Sequence, residues 1–338
     1  MTRSQVRVLA CAQKETYNGL MTSPKTILVT GCAGFIGSNF VNKFLKEFPK
    51  TKVIGIDDLS SGRKDSINKK ITFYEKSILD ESALKSIFSK HKPEYVFHFA
   101  ALPRVSFSVK YPVKTTEANV VGTVALLEAA KTFGVKRFIY SSSSSVYGGA
   151  KQMPTKESDN FPDPKSPYAT QKYVGEVFCR NFSAISNLDT VCLRYFTVFG
   201  PGQYGDDAYI TVIAAWLESL YFPNNKKGFV EGNGLQSRDF CYIDNVVDAN
   251  ILAMKSGKKF GGDIFNVAHG ERTTLNEVRK LIEKHTGKKL DLEKRPTRSA
   301  DVKHTHADIS KAKKVLGYKP KFNFEQGLKK TIDWFESR

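Results

Sequence analysis

The chain has 338 residues, 41% of them hydrophobic, and 52 basic against 34 acidic side chains give a net charge of +18. The length suits one large or two interlocked domains, and the lack of any apolar run of 18 or more residues argues against a membrane-spanning helix. The positive charge invites a nucleic-acid reading, but the lysines are spread over the whole chain with no aromatic-interleaved basic stripe, so nucleic acid is not the expected partner.

Residues 1–24 show no periodicity and end in Thr22-Ser23-Pro24. They are expected to form a flexible extension; Arg3 and Arg7 with a single acid, Glu15, also fit a weak organelle presequence, and Met21 is a second candidate start. Lys25-Thr26-Ile27-Leu28-Val29 is a short β-branched run and predicts a buried strand at 26–30. Glycines 31, 34 and 37 follow at once, and apolar residues at helical spacing then predict a helix over 35–48. Further strands are predicted at 52–56, 71–75, 95–99, 136–140 and 189–193, with helices at 80–90, 111–133 and 168–186. This alternation specifies an α/β chain with a doubly wound parallel sheet, its site at the C-terminal ends of the strands. The region from 200 onward is richer in loops and is expected to cap that site. The division is therefore 25–199 as a dinucleotide-binding domain, with a return segment at about 240–268. Segments 200–239 and 269–338 form a smaller substrate-binding domain.

Strand, glycine turn and helix is the order that makes a phosphate site. Absent side chains at Gly31, Gly34 and Gly37 let the backbone approach a pyrophosphate, and the helix N-terminus at Phe35 and Ile36 offers N–H groups to it. The spacing is G-x-x-G-x-x-G. The second strand, Lys52-Val53-Ile54-Gly55-Ile56, ends at Asp57, about 20 residues after the last glycine, where an acid takes the adenosine ribose hydroxyls. That carboxylate repels a 2′-phosphate and favours NAD over NADP, although Arg63 and Lys64 follow closely. Pro167 then opens a helical stretch in which Tyr168 and Lys172 fall on one face at i, i+4. A tyrosine near its ordinary pKa of about 10 is a poor base; a neighbouring ammonium and a nicotinamide cation both favour its phenolate. Ser143, in the run Ser141-Ser142-Ser143-Ser144-Ser145, supplies a hydroxyl for the substrate oxygen.

From about Thr26 to its C-terminal end the chain resembles the extended short-chain dehydrogenases/reductases, in the NAD-dependent epimerase/dehydratase branch. The resemblance rests on ordered motifs: Val29-Thr30-Gly31 through Gly37, His98-Phe99-Ala100-Ala101, the serine run ending Val146-Tyr147-Gly148, and Ser166-Pro167-Tyr168. Leu193-Arg194-Tyr195-Phe196, Ser237-Arg238-Asp239-Phe240 and Ala307-Asp308-Ile309-Ser310-Lys311 complete the set. It implies a Rossmann sheet, NAD as cofactor and a nucleotide-sugar substrate. The 4,6-dehydratases of the branch carry an Asp-Glu pair where this chain has Ser144 and Ser145, and the related decarboxylases carry a Glu at the second position. Without them the epimerase arrangement remains, Ser143 with Tyr168 and Lys172. Of the branch, the UDP-N-acetylglucosamine 4-epimerases resemble it most, and the resemblance implies 4-epimerisation of a UDP-sugar through a transient 4-keto sugar. Alternatives are a UDP-glucuronate 4-epimerase, a nucleotide-sugar oxidoreductase with net redox chemistry, and a non-catalytic RNA- or partner-binding member of the fold.

The resemblance also carries residue roles. Ala100 and Ala101 line the nicotinamide end and Asn119 contacts the cofactor's backbone. Arg238 and Arg298 bind the substrate diphosphate, Asp301 takes the uridine ribose, and Gln203 and Phe229 flank the nucleotide. Thr305 aligns with the residue near the sugar's C2, where a small side chain admits an N-acetyl group. Thr197 stands where the family usually has an Asn that holds the diphosphate-sugar, and Lys76-Ser77-Ile78 stands for Gly-Asp-Ile beside the adenine. Helices 111–133 and 168–186 are expected to pair between subunits in a homodimer. The cysteines, Cys11, Cys32, Cys179, Cys192 and Cys241, show no Cys-x-x-Cys or His spacing. They are taken as reduced thiols of a cytoplasmic protein without a metal site.

Overall fold

The computed structural model describes residues 23–158, 161–204, 211–223, 227–296 and 302–338. Its centre is a seven-stranded sheet of β1 (Thr26–Thr30), β2 (Lys52–Asp57), β3 (Thr72–Glu75), β4 (Tyr95–His98), β5 (Arg137–Ser143), β6 (Asp189–Tyr195) and β11 (Asp263–Val267). The strand order is β11-β6-β5-β4-β1-β2-β3, and every neighbouring pair is parallel. Such a sheet must be covered on both faces. Along β1, Ile27 and Val29 point into one hydrophobic cluster and Leu28 into the other, all with no exposed surface. The first cluster packs helix Phe35–Glu47 beside Ile243–Lys255, and the second packs Glu81–His91, Gly122–Thr132 and Pro167–Ile185.

The expected helices lie at Phe35–Glu47, Glu81–His91 and Pro167–Ile185, and their ends have local causes. Asp80 caps the second by accepting from the Ala83 N–H at 2.9 Å. Ser166 caps the third, accepting from Ala169 N at 3.2 Å, with Pro167 in the first turn. The helix expected at 111–133 is Pro112–Thr116, a π turn at Glu117–Val121 and Gly122–Thr132. A short helix at Val105–Lys110, not anticipated, precedes it.

Outside the main sheet three small pairs form among the described residues. β7 (Thr197–Phe199) lies beside β10 (Phe240–Tyr242), β8 (Gly228–Glu231) beside β13 (Leu292–Arg295), and β9 (Ser237–Arg238) beside β12 (Thr273–Thr274). β11 lies within the segment 240–268, and its Asp263–Val267 pairs in register with Val191–Tyr195 of β6. No helix among the described residues is long and apolar enough to cross a membrane. Cys32, Cys179, Cys192 and Cys241 are buried free thiols, whereas Cys11 and the whole of residues 1–22 lie outside the described residues.

Candidate active site

A cavity of about 320 Å³ opens where strand order reverses between β1 and β4, the position at which doubly wound sheets bind ligands. Gly31, Gly34, Phe35, Ile36 and Gly37 line one end, Asp57 lies beside them, and Ala100, Ala101, Ser143, Tyr168 and Lys172 line the remainder. Eleven of the residues singled out from sequence thus share one wall.

The glycines are required by close approach. Gly31 has φ +69°, and a Cβ there would stand 2.6 Å from Ala100 N; one on Gly37 would stand 2.0 Å from Gly31 O. Helix Phe35–Glu47 starts from Gly34 with no side chain capping it, so its first N–H groups face the cavity unscreened by a side chain. Asp57 is 8% exposed, and its carboxylate accepts from Ala33 N and from Leu59 N, each at 2.9 Å. Burial raises its pKa, against the pull of those two N–H groups. Arg63 and Lys64 pair with Asp65 and Glu75, at 3.4 and 3.6 Å. A cradle that any Cβ would fill, a helix N-terminus and an acid at the end of β2 fit a dinucleotide, and they fit NAD.

At the other end, helix Pro167–Ile185 presents Tyr168, Lys172 and Glu176 one turn apart on its buried face. The Lys172 ammonium donates to Ser141 O at 2.8 Å and lies 5.9 Å from the Tyr168 ring centroid and 5.1 Å from that of Tyr140. Burial pulls its pKa down to about 8, with Cys179 and Glu176 acting in the opposite sense. The Tyr168 N–H donates to Ser108 Oγ at 3.1 Å, which anchors the helix start to the short helix Val105–Lys110. Ser143 ends β5, and its Oγ accepts from Ser145 N at 3.2 Å.

Beneath these groups lies a buried ion pair that sequence reasoning left unassigned. Arg194 donates from Nε and Nη2 to Glu176 at 2.8 and 2.7 Å, with side-chain exposures of 2% and 0%. Ser142 Oγ donates to the same carboxylate at 2.5 Å, and the guanidinium covers the Tyr147 ring at 4.5 Å. Glu176 lies four residues after Lys172, the one sequence signal that marks it. His98 is a second buried anchor, within 2.8 Å of Thr30 Oγ1 at Nδ1 and of Thr123 Oγ1 at Nε2. Burial, then the charge of Lys172, brings its pKa down to about 3, so the ring is neutral.

Other expected residues stand apart from the cavity wall. Asn119 is behind it: Oδ1 accepts from Leu102 N at 2.7 Å, while Nδ2 donates to Leu102 O and Gln171 Oε1. Its amide is fully engaged, so its influence reaches the cavity through the Leu102 backbone, not by direct contact. Thr197 donates its N–H to Asp239 O, between the cavity residues Phe196 and Val198. Gln203 is buried and accepts from Thr211 Oγ1 at 2.7 Å. Phe229 lies under the Arg295 guanidinium at 4.0 Å. Arg238 donates to Ser237 O and Lys303 O, and Thr305 Oγ1 accepts from Asp239 N at 3.2 Å, so these two are neighbours. Fully buried Asp239 accepts from His269, Gly270 and Ala307 N–H groups, while burial pushes its pKa up to about 7. It thereby ties the segments carrying Arg238 and Thr305 together. Arg298 and Asp301 lie outside the described residues. Lys76, Ser77 and Ile78 line the cavity, and cavity residues that sequence reasoning did not assign include Leu79, Lys114 and Glu117.

The fold and cavity define a nicotinamide-dependent enzyme with the short-chain dehydrogenase/reductase arrangement. The model of the NAD dependent epimerase/dehydratase family matches residues 27–268, and the chain belongs to that family. It is 36% identical to a UDP-glucuronate 4-epimerase of Thermodesulfobacterium geofontis, over 91% of this chain and 95% of that one. Among solved structures it resembles the UDP-glucose 4-epimerase of Thermotoga maritima bound to UDP-glucose, at 40% identity and TM-score 0.86, covering 92% and 99% of the two chains. The UDP-N-acetylglucosamine 4-epimerase of Methanobrevibacter ruminantium, bound to UDP-N-acetylmuramic acid, gives 36% and 0.85, covering 93% and 99%. These full-length relatives are UDP-sugar 4-epimerases, which are isomerases, and NAD is the cofactor of this family.

Proposed function

We propose that the protein is a UDP-sugar 4-epimerase that interconverts UDP-N-acetylglucosamine and UDP-N-acetylgalactosamine, with UDP-glucose and UDP-galactose as a second pair. The observation that carries this is the meeting of Ser143, Tyr168 and Lys172 on the wall that also holds the glycine turn and Asp57. Ser144 and Ser145, where dehydratases hold carboxylates, offer no acid for eliminating the 6-hydroxyl. NAD, when bound, would supply a reversible hydride acceptor for C4 of the sugar. Tyr168, as phenolate, removes the proton from the sugar 4-hydroxyl; Lys172 stabilises that phenolate, and Ser143 hydrogen-bonds the same oxygen. The 4-keto sugar stays held by its diphosphate, turns over, and regains hydrogen at C4 on its other face while Tyr168 returns the proton. No net redox change results.

Arg238 and Arg298 would hold the diphosphate, Asp301 the uridine ribose, and Gln203 and Phe229 the nucleotide's flanks. Thr197 would contact the diphosphate-sugar, and Thr305 leaves room for an acetamido group. UDP-glucuronate is the second reading. It is favoured by the Thermodesulfobacterium geofontis relative and by the positive charges of Arg272, Lys303 and Arg238 around His304. Incubation of the purified protein with each of the three UDP-sugars, without added NAD, resolves the readings by proton NMR. Conversion of the acetamido pair supports the first; conversion of UDP-glucuronate alone supports the second; no conversion, even with NAD supplied, sinks both. A homodimer through helices 112–132 and 167–185 is part of the proposal. Exposed Val113 and Val121, 72% and 53% accessible, support it, and analytical ultracentrifugation tests it.

A further inference from the structure

One aromatic ring joins the cofactor end of the cavity to helix Phe324–Glu336 and the residues that follow it. The Arg63 guanidinium lies 4.1 Å from the centroid of Tyr204, and that of Arg338 lies 4.6 Å from the same centroid. Trp334 meets Tyr204 edge-on at 5.2 Å. Two cations on one ring would repel, but each has its own carboxylate: Arg63 Nε is 3.4 Å from Asp65, and Arg338 Nη1 is 2.7 Å from Glu218.

On the cofactor side the segment leading to Arg63 folds over the glycine turn. Leu59 donates its N–H to Asp57 Oδ1 at 2.9 Å and has φ +58°, a conformation unfavourable for a residue with a branched side chain. Asp58, Ser60 and Ser61 then line the cavity, and Gly62 packs so closely that a Cβ would lie 2.8 Å from that of Ala33. Arg63 N donates to Ala33 O at 3.0 Å. On the other side, Asn39 of helix Phe35–Glu47 donates to Pro201 O at 3.0 Å, which fixes the backbone just before Tyr204 against the phosphate helix.

We propose that Arg63, Tyr204 and Arg338 form a clasp that holds segment 58–63 closed over the adenosine end of the site and retains NAD between turnovers. An enzyme whose chemistry returns the cofactor to its starting state gains from keeping it bound. The strained turn at Leu59 is held at its start by Asp57 and at its far end by Arg63. Opening the far end lets the strain relax and uncovers the ribose. Arg63 and Tyr204 act as positioning residues, through the segment between Asp57 and Gly62. The inference rests on the NAD site described above and is independent of which sugar is bound.

The test uses the full chain loaded with NADH, whose dissociation is followed by fluorescence after excess NAD is added, alongside the nucleotide content after gel filtration. Arg63→Ala and Tyr204→Leu are each expected to speed release about three- to tenfold, with Arg338→Ala in the same direction. The combined Arg63→Ala/Tyr204→Leu variant should be no faster than the faster single variant, because both break one contact. Lys64→Ala, the neighbouring charge, should leave release unchanged. Unfolding midpoints of the nucleotide-free variants separate release from misfolding, and Arg63→Lys, which keeps the charge, gives an intermediate rate if Tyr204→Leu fails to fold. Wild-type release rates in folded Arg63→Ala, or effects that multiply in the double variant, overturn the clasp alone. A wild-type chain that binds no nucleotide overturns the cofactor site and the clasp with it.

Discussion

Replacing Glu176 by Gln strands a guanidinium in the interior. Arg194 is 2% exposed and takes both of its hydrogen-bonded carboxylate contacts from Glu176; its Nη1 has no hydrogen-bond partner among the described residues. Removing one charge of a buried pair typically costs about 3–5 kcal/mol, because the remaining charge is left desolvated. The replacement amide keeps one oxygen for Ser142 Oγ and Arg194 Nε but turns an NH2 donor towards Arg194 Nη2. Urea unfolding of the nucleotide-free protein should therefore show a loss of about 3–5 kcal/mol with an unchanged slope. The double variant Glu176→Gln/Arg194→Met removes the stranded charge and should recover a large part of that loss. Glu176 also supports the Lys172 ammonium, so the single variant should shift the alkaline limb of the pH–rate profile to lower pH. A single variant within about 1 kcal/mol of wild type, or a double variant that loses the sum of both single effects, would refute the reasoning.

Tyr168→Phe should lower the epimerisation rate by roughly 10²- to 10⁴-fold while leaving bound NAD in place; substantial retained activity would remove the proton-transfer role. With Lys172 near a pKa of about 8, activity should fall as pH rises through about 8, and a profile flat to pH 10 would contradict an essential ammonium. The sign for stability is opposite. Burial lowers this pKa from 10.5 to about 8, so the native state binds fewer protons than the unfolded one between those values, and this group adds stability as pH rises across them. Gly37→Ala places a Cβ 2.0 Å from Gly31 O and should abolish NAD retention on gel filtration. Thr305→Tyr should suppress turnover of the acetamido sugar while sparing UDP-glucose, read as the ratio of the two rates by proton NMR; an unchanged ratio would show that Thr305 does not face the sugar.

The glycine turn, Asp57 and the Tyr168/Lys172 pair were legible in the sequence because their signals are local. Each depends on neighbours within one strand–turn–helix unit or one helical turn, and periodicity places those units. Strand limits shifted by a few residues where strand and turn residues are alike: the serine run looks like a loop, yet Ser141 to Ser143 continue β5 in register with Leu193 to Tyr195. Glu176 and Arg194 were hidden because 18 residues separate them, and charge spacing says nothing of partners across a sheet. Asp239 was hidden for the same reason, since the backbone groups it binds lie about 30 and 68 residues further on. The residues carried over by resemblance divide accordingly. Those on the sheet's C-terminal edge meet at the cavity, whereas Asn119 acts at one remove through Leu102.

The catalytic end of the cavity is built from groups that cannot move independently. Lys172 is fixed by Ser141 O, the next serine by Glu176, and Glu176 by Arg194, which continues β6 into Tyr195 and Phe196 of the cavity wall. Tyr195 in turn contacts Ser141 Oγ at 3.2 Å and donates to Asn250 at 3.0 Å. The end of β5 is thus clamped against β6 and helix Pro167–Ile185 by polar contacts in a dry interior, where each is stronger than in water. Rigidity suits a tyrosine that, in the proposed mechanism, takes and returns the same proton without drifting from one oxygen atom. In the proposed reaction the sugar, which turns over, would meet a different environment: Arg238 and Thr305 sit on short strands and loops tied together by the Ser237–His304 bridge and, through Ala307 N, by the Asp239 carboxylate. A base held still beside a pocket walled by short strands and loops suits the proposed reaction, in which the substrate rotates between its two halves.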